Sequence, residues 1–129
     1  MSNTEILEKI GRIAEEYKRY NKEAFLFVLV ALEYTVSKLS VRRHLTGQEL
    51  ANGIAEFARE QFGYMAKMVL NNWGITNTLD YGEIVYLLIE NGLLTKTEDD
   101  RKEDFAGVYD FDMEFDWKSH SSSDFPERL

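Results

Sequence analysis

The 129-residue chain has no cysteine. Disulfides, zinc–thiolate centres and thiol nucleophiles are therefore excluded. Proline occurs once, at Pro126, and histidine twice, at His44 and His120. Gly47, Gly53, Gly63, Gly74, Gly82 and Gly92 read as helix punctuation, with no Walker A run and no strand–GxGxxG–helix fingerprint. No Gly-x-Ser-x-Gly elbow is present, so nothing supports a Ser–His–Asp arrangement. The apolar run at residues 24–32 is closed by Glu23 and Glu33 and falls far short of the ~20 residues of a membrane span. The first residues, MSNTEILEKIG, are acidic where a secretion signal would be basic. A cytoplasmic protein without membrane contact is the expectation. A basic excess is also missing, since the net charge is −8. Residues 1–97 hold 11 Lys/Arg against 12 Asp/Glu, and residues 98–129 hold 4 against 11. The C-terminal quarter thus points away from phosphate backbones and toward a basic partner.

The strongest positive feature is residues 24–39, AFLFVLVALEYTVSKL. Phe25, Leu29, Leu32, Val36 and Leu39 fall at helical spacing, and Phe27, Val28, Val30 and Ala31 fill the opposite side. A helix apolar nearly all round has to be covered on several faces. Each large side chain buried there contributes roughly 1.5–3 kcal/mol. Four further helices are expected around it. The first spans residues 3–17, with Ser2 and Glu5 at capping-box spacing and an Ile6/Ile10/Ile13/Tyr17 stripe. Asn21 is the expected cap of the central helix. Thr46-Gly47-Gln48-Glu49 opens the third, with Leu45 and Leu50 as a hydrophobic staple. Gly53 sits in mid-helix at a cost of about 1 kcal/mol against Ala, tolerable where another backbone comes close. The fourth covers residues 64–72. The fifth covers residues 81–91, with Asp80 and Glu83 as its capping box and Asn91-Gly92 as its stop.

Beyond Leu94 the period changes to two. Tyr109, Phe111, Met113, Phe115 and Trp117 alternate with Val108, Asp110, Asp112, Glu114 and Asp116. That pattern predicts a half-buried strand over residues 108–117 with one acidic face, paired with residues 93–96 in a small hairpin. The expected architecture is thus mainly α: a single five-helix domain over residues 1–117, a C-terminal β-hairpin, and a disordered tail over residues 118–129. Helices followed by a strand pair also suggest a winged-helix shape. Charge argues against DNA use of that shape. No Lys or Arg lies between Met68 and Thr95, and affinity for nucleic acid rests on phosphate neutralisation.

Two sets of residues are candidates for binding a partner. Asp110, Asp112, Glu114 and Asp116 would share one strand face. Their spacing of ~6.6–7 Å along a strand is long for a single cation, so no metal is expected. A basic protein partner is expected there, by strand addition, and a dimer through the same edge is a related option. The second set is Arg42, Arg43 and His44, beside Lys38, which would serve an anion or a nucleic acid. A third reading is an enzyme pocket using Trp73, Tyr81 and Glu83. No cofactor and no catalytic residue is assigned, and the leading function is a non-catalytic interaction or adaptor module.

The stretches His44–Leu50, Gln61–Ala66, Asn72–Gly74, Thr78–Val85 and Asn91–Leu94 together resemble a family of small bacterial proteins without known activity, the Plancto/Verruco-restricted hypothetical proteins. The similarity covers about residues 6–116. It implies a bacterial, cytoplasmic protein and brings no cofactor or site residue with it.

Overall fold

The computed structural model describes residues 2–116. Five helices of seven or more residues run in chain order: α1 (Asn3–Glu16), α2 (Lys22–Ser37), α3 (Gly47–Phe62), α4 (Ala66–Asn72) and α5 (Thr78–Glu90). A 3-10 turn, Gly63–Met65, leads into α4, a second covers Lys102–Phe105, and one helical turn, α6 (Phe111–Glu114), closes the described chain. Among the described residues no helix is long and apolar enough to cross a membrane.

The caps read from sequence hold at three starts. The Ser2 hydroxyl accepts from the Glu5 amide, the Asn21 side chain accepts from the Glu23 amide at 2.9 Å, and Thr46 and Glu49 cap each other reciprocally at 3.1 and 2.9 Å. Each satisfies amides that the first helical turn leaves unpaired. Helix α2 lies against α1, α3 and α5, and Ala24, Phe25, Val28 and Ala31 are fully buried. Its cover is not complete, because Val30 is 51% exposed.

Gly53 marks the close approach of α2 and α3. A Cβ there would lie 2.0 Å from the Thr35 Oγ1, which itself donates to the Ala31 carbonyl at 2.8 Å. The neighbour is a side chain, not the backbone that the sequence suggested. Gly74 follows α4 at a φ of +96°, and a Cβ there would lie 2.2 Å from the Arg19 carbonyl oxygen. The α1–α2 loop is stitched to the end of α4 at this point, where the Asn21 amide donates to the Trp73 carbonyl at 3.0 Å.

The start of α5 differs from expectation. The cap is Asn77, and Asp80 is its third residue, so the helix begins three residues early. Leu79, in its first turn, is 37% exposed. Asp80 is 2% exposed and accepts from five donors. Oδ1 takes the Arg19 guanidinium at 2.8 Å and the Tyr20 hydroxyl at 2.6 Å. Oδ2 takes the Thr76 amide at 2.8 Å, the Thr76 hydroxyl at 3.3 Å and the Asn77 amide at 3.3 Å. Burial, then the bond to Asp80, pushes the Tyr20 phenol above its ordinary range.

The expected hairpin is not formed: among the described residues there is no strand. Residues 94–101 run without regular structure, and residues 111–114 are helical instead of extended. The physical reason lies in the spacing. Phe111 and Phe115 are four apart, which puts them on one side of a strand and equally on one side of a helical turn. Both are buried, their rings 5.1 Å apart, and Phe111 packs 5.9 Å from the Tyr81 ring. Met113, between them, decides the matter. A strand would bury it with its neighbours, and it is 74% exposed. With neither strand nor wing, the winged-helix shape falls away for the described residues.

Candidate functional site

The four carboxylates proposed as one acidic face are separated. Asp110 caps α6, its side chain accepting from the Met113 amide at 3.1 Å. Asp112 pairs with Lys67 of α4. Glu114 accepts from the Arg59 guanidinium of α3 at 2.7 Å, both side chains being largely covered. Asp116 follows the helix, with Trp117 and His120 outside the described residues. Glu114 and Asp112 fasten the chain end to α3 and α4, and among the described residues there is no strand for strand addition or an edge-strand dimer. No three His, Asp or Glu side chains converge as a metal site among the described residues.

The cations of the second set are each drawn to a carboxylate. Lys38 pairs with Glu56. Arg42 forks onto Glu33 at 2.9 and 3.2 Å, and Arg43 onto Glu49 at 2.9 and 2.7 Å. The Arg42 hydrogen bond holds Glu33 below its usual carboxylate range. Arg43, then the Thr46 amide, brings Glu49 down to about 2. His44 Nε2 lies 2.5 Å from Asp100 Oδ2, which also accepts from the Thr97 amide at 2.8 Å. Burial acts to raise the Asp100 carboxyl, but the Thr97 and His44 bonds outweigh it and hold it low. A phosphate backbone would have to compete with these partners for Lys38, Arg42 and Arg43.

What brings Arg42, Arg43 and His44 together is a pocket of about 400 Å³. Its floor comes from Leu32 and Val36 of α2, Leu50 of α3, and Val85 and Ile89 of α5. The connector at residues 42–46 forms one lip and residues 94–105 the other, and the His44–Asp100 contact spans the two. Leu45 and Phe105 are buried beneath these lips and anchor them to the core. The lining carries four Lys/Arg (Arg42, Arg43, Lys96, Arg101) against three Asp/Glu (Glu33, Asp100, Asp104) in a protein of net charge −8. All three acids are occupied, Asp104 accepting from the Arg101 amide at 3.1 Å. Among the described residues, Lys96 and Arg101 form no ion pair: the Lys96 Nζ donates to the Thr97 carbonyl. The Tyr86 hydroxyl, in the pocket wall, is shut off from solvent and has no hydrogen-bond partner among the described residues. Burial raises its phenol, and the charges of Asp100, Asp104 and Glu103 add to that.

An imidazole backed by a carboxylate is also the arrangement of a general base. Among the described residues no side-chain hydroxyl is hydrogen-bonded to the His44 ring. The residues of the enzyme reading are dispersed. Trp73 packs at a tilt against Phe27 and edge-on against Phe62. Tyr81 is fully buried and bonded to the Tyr109 hydroxyl at 2.7 Å. Glu83 faces Lys102 at 3.5 Å.

Sequence reasoning singled out one lip of the pocket and missed the other. Lys96 stands in the stretch read as the first strand of the hairpin, and Asp100 and Arg101 in the acidic segment that was to join its two strands, 50 or more residues from the connector. Their one visible signal was the concentration of charge around residues 96–104. No family model, no curated protein and no solved structure matches the chain.

Proposed function

We propose that this protein is a non-catalytic binding module whose recognition site is the pocket lined by Arg42, Arg43 and His44. The supporting observation is the joining of an apolar floor to a charged mouth in one concavity of about 400 Å³. Small-molecule sites have this volume and this division of labour, with burial giving affinity and a few polar groups giving orientation. The His44–Asp100 contact bridges the two lips at one point, and ligand entry works against a single bridge whose His44 side is exposed and whose Asp100 side is partly covered. The adaptor role expected of the C-terminal acids is thereby moved to a different face.

Ligand-observed NMR with a fragment library tests the reading. Fragments that bind the wild-type chain lose their signal in Ile89→Trp, where the indole fills the pocket from α5, while the far-UV spectrum stays the same. Fragments binding both chains equally, or none binding the wild type, refute it.

A further inference from the structure

The occupancy of the charges lining the pocket is lopsided. Glu33, Asp100 and Asp104 each have donors. Arg42 and Arg43 have carboxylates. Lys96 and Arg101, on the same lip, have no carboxylate among the described residues. Of the lining side chains, Val36, Leu50, Val85 and Phe105 form an apolar floor less than a tenth exposed. A ligand seated there meets apolar side chains at one end and, at the other, two cations that form no ion pair among the described residues and stand on the same lip as Asp100 and Asp104.

We propose that the ligand is a compact organic acid, an aryl or short-chain carboxylate. Its apolar body rests on Val36, Leu50, Val85 and Phe105, and its carboxylate is held at the mouth by Lys96 and Arg101. This inference rests on the binding-module reading above. A cationic ligand would leave both side chains repelling it. A neutral one would gain the floor alone. A carboxylate gains the floor and charge-assisted hydrogen bonds, and the planar guanidinium of Arg101 matches its two oxygens.

The test is titration of the full chain, followed by amide chemical shifts at fixed ionic strength. The probes are benzoate and octanoate, their neutral counterparts benzyl alcohol and octanol, and octylamine. The acids are expected to shift the amides of Val36, Leu50, Val85, Lys96 and Arg101. They should bind at least about tenfold more tightly than the alcohols, the factor that one charge-assisted hydrogen bond carries. A Lys96→Gln/Arg101→Gln chain should lose that preference and keep its affinity for the alcohols. Alcohols or the amine binding at the same amides as tightly as the acids would overturn the anion assignment and leave the pocket reading standing. So would an unchanged acid preference in the double variant. Absence of any shift at the pocket with all five probes would overturn both.

Discussion

Replacing Asp80 isolates the one charged side chain that is buried among the described residues. All five of its partners are donors, so the position needs a group that only accepts. Asp80→Asn keeps the shape but turns an NH2 toward donors on whichever side it faces. Asp80→Ala removes every acceptor. The Arg19 side chain is 63% exposed and regains water, so its ion pair is discounted. Thr76 is at the surface and its amide is rehydrated at small cost. The Tyr20 hydroxyl is different, because Tyr20 is 4% exposed and an orphaned buried donor costs about 1–3 kcal/mol. With the small void left behind, Asp80→Ala should cost about 3 kcal/mol and Asp80→Asn about 2 kcal/mol. Arg19→Ala should cost less than about 1 kcal/mol. Urea unfolding followed by circular dichroism measures this: with a slope of roughly 1–3 kcal/mol/M, the Asp80→Ala midpoint falls by about 1–3 M. In a Tyr20→Phe background the same substitution should cost about 1 kcal/mol less, because the donor it strands is gone. An Asp80→Asn chain within about 0.5 kcal/mol of wild type, or strict additivity with Tyr20→Phe, would refute the reasoning.

Three further outcomes follow from the packing. Gly53→Ala gains about 1 kcal/mol of helix propensity, yet it drives a methyl group into Thr35, so calorimetry should show a lower Tm; a higher Tm would show that α2 and α3 part easily. Met113→Lys should change stability by less than about 0.5 kcal/mol, and Phe111→Ala should cost about 3 kcal/mol or more. Comparable losses at both positions would favour the extended form of residues 108–117. The Glu49 carboxyl is depressed in the folded chain, from 4.5 to about 2. Its contribution is therefore present above pH 4.5 and lost as pH falls through that window toward 2. Glu49→Gln should flatten this part of the stability–pH curve, and an unaltered curve would count against the Arg43–Glu49 pair and the cap as its source.

The sequence by itself determined the helix starts and the central rod. Ser2, Asn21 and Thr46 act on amides two or three residues ahead, and the apolar face of α2 recurs within a single turn. Interactions that short are written in the order of residues. Asp80 shows where that legibility ended. Its spacing to Glu83 looked like a cap, but the cap is the Asn77–Asp80 pair, which sets Asp80 inside the helix, and its buried partners, Arg19 and Tyr20, are 61 and 60 residues away. The alternation at residues 108–117 was ambiguous for a related reason. Every fourth position suits a strand and a helical turn equally, so the choice fell to Tyr81, Arg59 and Lys67, which receive Phe111, Glu114 and Asp112. Only the tertiary structure decided that Lys96 and Arg101 stand across from Arg42 and Arg43 over an apolar floor. Concavity is a property of several segments packed at once, and no local pattern encodes it.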